Sequence, residues 1–385
     1  MELKIAGSLH KQLHEGGKKV GLLGKPLKIN SMEIKNRFLR SATVENMADI
    51  EGYVADALLK LYYDLARGGT GLIVTGAASV EASGRAFVNQ MSVYDDKFIP
   101  GLKKLAKVVH TYGGGCKCAV QIFHQGTAGY GYSYGAMDGG YRLNDLKEDE
   151  IQQTIAAFGR AARRVKEAGF DAVAVHGAHG YLLSEFLSPV TNNRDDRWGG
   201  SLENRMRFSL EVYSAVRGQV GTDFPVLWKL NTNDYLEGGN TIKDYVQVAK
   251  RLADAGVDLI ELSGGIKEQS KLRAKLKAEA GAKEAYFLQA VEAMREAVAG
   301  ARTALSLTGG IRSLPVMEEI LGKGVDLIGI CRPLICEPDL PERLLFSPDK
   351  RPSKCTSCNL CLHHIARQPV KCVEYDPFRS ILKKI

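Results

Sequence analysis

Two histidines and a tyrosine, His176, His179 and Tyr181, follow directly after the apolar run 172–175. Such a run is typical of a buried strand, and α/β proteins carry their chemistry at the carboxyl ends of these strands. Imidazole and phenol groups at that place can hold a substrate oxygen and deliver a proton. A histidine pair can also be half of a metal site or a buried structural pair, although no third ligand stands on this loop. We predict a catalytic site.

A second group of residues has the types that bind phosphate. Gly309 and Gly310 follow the apolar run 304–307, and Arg332 follows the run 327–330. Glycine lets backbone N–H groups approach a phosphate closely, and the last two loops of a barrel often hold one. Either Arg312 or Arg332 would neutralise the anion. The two loops together predict a phosphate site, whereas a glycine pair alone is more often a turn.

The C-terminal tail concentrates four thiols in 18 residues, at Cys355, Cys358, Cys361 and Cys372. In a cytoplasmic chain this density indicates a metal or a cluster rather than disulfides. Iron–sulfur clusters and structural zinc both accept four thiolates, and the spacing leaves both open. We predict that the remaining cysteines are packing residues, namely Cys116, Cys118, Cys331 and Cys336.

Short apolar strands alternate with amphipathic helices along most of the chain. We predict eight strands, at residues 38–41, 72–75, 119–122, 172–175, 226–230, 259–262, 304–307 and 327–330. Helices are predicted at residues 55–67, 151–168, 204–217, 242–255, 285–298 and 314–321. Eight strands alternating with helices predict an α/β fold of the (β/α)8 TIM barrel type. A doubly wound sheet is the alternative, but no Gly-x-Gly-x-x-Gly follows the first strand.

Composition and charge exclude several classes of protein. The 385 residues are 45% hydrophobic and carry a formal net charge of +8, without a long run of like charges. These values argue against a nucleic-acid tail, and no apolar run is long enough for a membrane span. The N-terminus lacks the apolar core of a signal peptide, so we expect a cytoplasmic protein. We divide the chain into a lead-in at 1–21, a barrel at 22–346 and a cysteine-rich tail at 347–385.

The run from His176 to Arg205 resembles the active-site segment of the old yellow enzyme family of flavin-dependent ene reductases. The resemblance is strongest to the branch with 2,4-dienoyl-CoA reductase and trimethylamine dehydrogenase, and it covers most of the chain. It implies non-covalent FMN, whose phosphate Gly309, Gly310 and Arg332 would hold. Further flavin contacts implied by matching positions are Ala42, Thr43, Ala77, Gln121 and Lys229. Val44 stands where some members have a redox-tuning or flavin-bonding side chain, which argues against amine oxidation.

The resemblance also implies a reaction. His176 and His179 would hold the activating oxygen of an unsaturated small molecule, reduced FMN would give hydride to the β carbon, and Tyr181 would donate the proton. The four tail cysteines would bind a [4Fe-4S] cluster, with zinc as the alternative because their spacing is shorter than the branch pattern. Electrons would come directly from NAD(P)H or from a partner reductase, since the chain stops at Ile385 where that branch continues with an FAD and nucleotide domain. An oxidative enzyme, an electron-transfer subunit and a homo-oligomer remain compatible with the sequence.

Overall fold

The computed structural model describes residues 21–127, 142–266, 283–363 and 368–374. Of the predicted lead-in at 1–21 only Gly21 is described, and residues 375–385 of the predicted tail also lie outside these ranges. Within the described ranges, no helix is long and apolar enough to cross a membrane.

Eight parallel strands close into a barrel, which confirms the predicted TIM barrel. All eight strands lie where the apolar runs predict them. The barrel strands are β3 Phe38–Arg40, β4 Leu72–Ser79, β5 Lys117–Phe123, β6 Ala172–Gly177, β7 Val226–Asn231, β8 Leu259–Ser263, β9 Ala304–Thr308 and β10 Leu327–Ile330. Around the barrel their order is β10, β3, β4, β5, β6, β7, β8 and β9.

A small hairpin that the sequence analysis missed closes the amino-terminal end of the barrel. Strand β1 (Leu27–Ile29) pairs antiparallel with β2 (Met32–Ile34), and Asn30 in the turn has a left-handed φ of 51°. Apolar residues of the hairpin pack on the first residues of several barrel strands, such as Leu72 and Leu259. This end of the barrel is therefore filled with apolar side chains, and the polar residues gather at the opposite end.

All six predicted helices are present, and the structure adds Ile99–Tyr112 and several short ones. The helix predicted at 285–298 begins only at Val291, because Tyr286 and Phe287 pack on the loop after β9, where the Tyr286 N–H donates to the Gly309 carbonyl at 3.1 Å. The helices are Asp56–Arg67, Ile99–Tyr112, Glu148–Glu167, Leu182–Leu187, Leu202–Val220, Ile242–Ala255, Val291–Ala297, Leu314–Gly322, Arg332–Cys336, Leu340–Phe346 and Leu360–His363.

The helix Ile242–Ala255 illustrates how local sequence sets these bounds. The Thr241 and Asp244 side chains form a capping box at its start, which satisfies two N–H groups that have no partner inside the helix. Gly256 ends the helix with a left-handed φ of 101°, a conformation that glycine adopts without steric cost. The apolar face of this helix, with Val248 and Leu252, packs in the main core between helices and strands.

Candidate active site

The strand register brings the predicted site residues next to one another at the carboxyl ends of the strands. His176 in β6 lies opposite Lys229 in β7, and Lys229 lies opposite Glu261 in β8. Gln121 in β5 lies opposite Ala77 in β4. Residues that are up to about 180 positions apart in the chain thus share one rim of the barrel.

The two histidines and the tyrosine converge as the sequence predicts. The His176 ring centroid is 5.2 Å from that of His179 and 5.3 Å from that of Tyr181. His179 and Gly180 both have left-handed φ angles, 66° and 72°, so the chain turns sharply after β6 and starts the next helix at Leu182. The turn places the Tyr181 ring edge-on against the Phe123 ring, at a centroid distance of 4.7 Å.

Two polar residues that the sequence analysis missed orient His179. Its Nε2 lies 2.6 Å from the Ser263 hydroxyl, and its backbone N–H donates to Asn231 Oδ1 at 3.2 Å. Asn231 and Ser263 are the last residues of two otherwise largely apolar strands. A polar residue at a strand end is the sequence signal that could have identified both.

His176 is a neutral imidazole at neutral pH. Burial, reinforced by the nearby His179 and Lys229, holds the pKa of His176 well below its usual range. A neutral ring has one N–H donor and one acceptor nitrogen. Its buried Nδ1 has no hydrogen-bond partner among the described residues, so this atom can serve a bound molecule.

Lys229 has the partner that a cation inside an apolar strand requires. Its Nζ lies 2.9 Å from Glu261 Oε1 and 2.8 Å from Ser41 Oγ. The Ser41 hydroxyl in turn donates to Glu261 Oε1 at 2.5 Å. We call these three residues the rim triad.

The predicted residues Ala42, Thr43 and Ala77 lie at the ends of β3 and within β4. Ala77 belongs to a small apolar cluster with Phe123, against which Val44 and Tyr181 pack. Thr43 Oγ1 contacts the Cys331 thiol, and Ala42 packs on the inner barrel core. Ala77 therefore belongs to the cluster against which Tyr181 packs, whereas Ala42 and Thr43 follow Ser41 of the rim triad just beyond the end of β3.

The donor groups on the rim fit the ring of a flavin. Gln121 is 3% exposed, and its Nε2 has no hydrogen-bond partner among the described residues. A buried amide N–H without a partner costs free energy, so a ligand acceptor at this place would be stabilising. An amide offers both a donor and an acceptor, as the polar edge of a flavin requires. Lys229 adds a cation on the same rim.

The loops predicted to hold phosphate already have close neighbours. Gly309 and Gly310 have left-handed φ angles of 119° and 74°, and a Cβ on Gly310 would stand 2.4 Å from the Tyr286 ring. Glu284 Oε2 accepts hydrogen bonds from the backbone N–H groups of Arg312 and Ser313 at 2.6 and 3.0 Å. The ring of Tyr286 thus leaves no room for a side chain at Gly310, and the N–H groups of Arg312 and Ser313 already bind a carboxylate.

The two candidate arginines differ in their surroundings. Arg332 donates to the tail, to the Ser357 carbonyl at 3.4 Å and to the Asn359 side chain. The buried Nε of Arg312 has no hydrogen-bond partner in the described ranges. Arg312 consequently has a free donor for an anion, and Arg332 connects the loop after β10 with the tail.

The four tail cysteines line one cavity, together with Arg332. All four are free and partly buried. Burial raises the pKa of Cys361 to about 12 and also raises the pKa of Cys355, so these thiols are protonated in the absence of a cation. Within the described ranges, no three histidine, cysteine or acidic side chains are placed to hold a single metal ion.

The other four cysteines divide into two pairs. Cys116 and Cys118 are buried in the main core, in agreement with the predicted packing role. Cys331 and Cys336 are only partly buried and flank the tail. Cys331 contacts Thr43, and burial and the neighbouring Cys372 thiol raise the pKa of Cys336. Packing alone therefore does not describe Cys331 and Cys336.

Comparisons with known proteins identify the family. Residues 23–347 match the NADH:flavin oxidoreductase / NADH oxidase family. A metal reductase of Desulforamulus reducens is 33% identical over 92% of this chain and 53% of its own length. An NADPH dehydrogenase of Geobacillus sp. is 36% identical over 83% of this chain and 92% of its own. A solved 2-naphthoyl-CoA reductase has a TM-score of 0.82 and 30% identity over 94% of this chain and 57% of its own.

The chain therefore belongs to the NADH:flavin oxidoreductase / NADH oxidase family, and the predicted resemblance to the old yellow enzymes is confirmed. It spans about half the length of several of the curated relatives that it matches.

Proposed function

We propose that this chain is an FMN-dependent oxidoreductase that reduces an activated carbon–carbon double bond. The observation that supports this most strongly is that the rings of His179 and Tyr181 lie 5.2 and 5.3 Å from the His176 ring, on a rim that also carries Lys229. Family membership supports the same class of reaction. The substrate is an enone, an enoate or an enoyl thioester, and the likeness to a 2-naphthoyl-CoA reductase favours a thioester.

The two histidines would hold the substrate oxygen. A neutral His176 can donate a hydrogen bond without placing a full positive charge in a buried site. His179 is oriented by Ser263 and Asn231, so little side-chain entropy is lost when the substrate binds. Donors at this oxygen stabilise the negative charge that develops there as the double bond is reduced.

Tyr181 would deliver the proton. Its ring packs on Phe123 and Ala77, which fixes the phenol at the edge of the site. Bound FMN supplies the hydride of this reaction. Gln121 and Lys229 would hold the polar edge of its ring, with Ala42, Thr43 and Ala77 beside it. Gly309, Gly310 and Arg332 would hold its phosphate, and the free Nε of Arg312 makes Arg312 a second candidate for that anion.

We infer that the tail binds a [4Fe-4S] cluster through Cys355, Cys358, Cys361 and Cys372. All four line one cavity, and thiolates from four cysteines are the ligands that hold such a cluster. Zinc remains the alternative. The electron donor would be NAD(P)H, as the names of several relatives suggest, or a partner reductase acting through the cluster.

Anaerobic purification followed by cofactor analysis and a reoxidation assay tests this function. We expect about one FMN per chain, which NADPH or dithionite bleaches and which 2-cyclohexenone or an enoyl-CoA then restores to the oxidised spectrum. Iron and zinc are measured in the same sample. A colourless chain, or bound flavin that no activated alkene reoxidises, would contradict the proposal.

A further inference from the structure

The rim triad neutralises the charge of Lys229 inside the barrel. The side chains of Lys229 and Glu261 are only 3% and 6% exposed, and their charged atoms are 2.9 Å apart. The Ser41 hydroxyl bonds to both of them, although Ser41 precedes Lys229 by 188 residues and Glu261 by 220. The ammonium is therefore compensated by a carboxylate before any ligand binds.

Stability alone gives little reason for this pair. A buried ion pair contributes little to stability compared with well-packed apolar residues, because both charges lose their hydration. At the amino-terminal end of the same barrel, apolar residues such as Leu72, Leu227 and Leu259 fill the interior. The charged pair occurs instead at the rim, beside His176, where the ligand would bind.

The geometry separates the roles of the two charged residues. An ammonium has three N–H donors; within the part of the chain that the structure describes, those of Lys229 reach Ser41 and Glu261, which leaves one for a ligand. An ionised carboxylate has no donor, so Glu261 offers nothing to the acceptor atoms of a flavin ring. Its Oε1 accepts from Ser41 and pairs with Lys229, so its charge acts on a flavin bound against Lys229 by offsetting that cation.

We propose that Glu261 is a positioning residue that lowers the midpoint potential of FMN bound against Lys229. Reduction adds negative charge to the ring, and an uncompensated cation beside it would favour the reduced form. The Glu261 carboxylate offsets that cation, so the reduced cofactor is held less tightly and is the stronger reductant. The inference rests on the FMN site proposed above.

The test is the midpoint potential of bound FMN, measured by anaerobic titration with a reference dye. Glu261→Gln keeps the shape of the side chain and removes its charge. We expect it to favour the reduced over the oxidised cofactor at least tenfold, which is about 30 mV upward for a two-electron couple. Glu261→Asp keeps the charge but lengthens the contact, and it should give a smaller rise. Glu203→Gln, in a surface pair with Arg251, should leave the potential unchanged.

The outcomes separate this inference from the proposed function. A wild-type chain that binds no FMN overturns the proposed function, and this inference with it. Wild-type FMN binding together with an unchanged potential in Glu261→Gln overturns this inference alone. If Glu261→Gln does not fold, Glu261→Asp decides, because a potential equal to that of the wild type in that variant also contradicts the role.

Discussion

The barrel rim and the cysteine tail are built in different ways. The rim triad and His176 are buried, His179 and Tyr181 are half-buried, and the hydrogen bonds of the rim join residues 52 to 220 positions apart in the chain. The tail cysteines are only partly buried, and the tail is joined to the barrel by contacts such as the Val370 N–H to the Glu45 carbonyl at 2.8 Å and the Lys354 N–H to Glu337 at 2.7 Å.

The difference indicates how each site obtains its geometry. Strand register fixes the rim residues before any ligand binds, which is the preorganisation that catalysis requires. Four thiols of the tail line one cavity, but no three of the described ligand residues are placed to hold a single metal ion. A bound metal or cluster would draw the thiols into their final ligand positions, as in many small metal-binding segments.

The largest expected effect is the loss of the tail site in a variant that leaves the rim unchanged. Cys358→Ala takes one of four proposed ligands and should abolish bound iron, while FMN remains at about one per chain. Cys336→Ala is the matched control, because Cys336 neighbours Cys372 but lies outside the proposed ligand set. Metal and flavin analysis of the two variants checks this. Full iron content in Cys358→Ala, or loss in Cys336→Ala alone, would contradict the proposed ligands.

A charge change on the rim should destabilise the fold itself. Lys229→Met leaves the Glu261 carboxylate buried without its cation, which we expect to lower the free energy of unfolding by about 3–5 kcal/mol. Lys250→Met breaks the exposed pair with Asp254 and should cost less than about 1 kcal/mol. Urea unfolding measures both. The double variant Lys229→Met/Glu261→Gln should recover part of the loss, and equal effects at the two sites would show that the buried pair is not special.

A smaller effect concerns pH. Burial lowers the pKa of His124 to about 3 and that of His176 well below its ordinary value of 6.5. The unfolded chain therefore binds more protons below pH 6.5, and stability is fully present above that pH and falls as the pH decreases. The expected slope is about 1.4 kcal/mol per pH unit for each such histidine. His124→Gln should reduce the slope between pH 6 and pH 5 by that amount. Identical slopes in the two proteins would exclude a buried neutral His124.

The sequence predicted the fold better than the contacts within the site. Eight apolar runs located every barrel strand, because buried parallel strands are almost continuously apolar. The hairpin β1–β2 was missed because three-residue strands are too short to show a period. Glu261 was missed because its pairing with Lys229 depends on strand register, which a single sequence does not reveal. The available signal was that Lys229 and Glu261 are each the single charged residue of an otherwise largely apolar strand.

In the tail, the sequence predicted the group of site residues but not how the tail packs on the barrel. The spacing of the cysteines pointed to the four thiols, and the structure brings all four to one cavity. Spacing could not reveal that Arg332 also lines that cavity and bonds to Ser357 and Asn359. The contact joins the tail to the loop after β10, and it depends on how the tail packs on the barrel rather than on any local pattern.

The proton-donor role of Tyr181 is the central claim, and transient kinetics of the two half-reactions test it most directly. Tyr181→Phe keeps the ring packed on Phe123 and removes only the hydroxyl. We expect reoxidation of reduced flavin by an activated alkene to slow about 10²–10⁴-fold, while reduction of the flavin by its donor stays within a factor of a few. Equal losses in both half-reactions, or an unchanged rate with the alkene, would contradict the account.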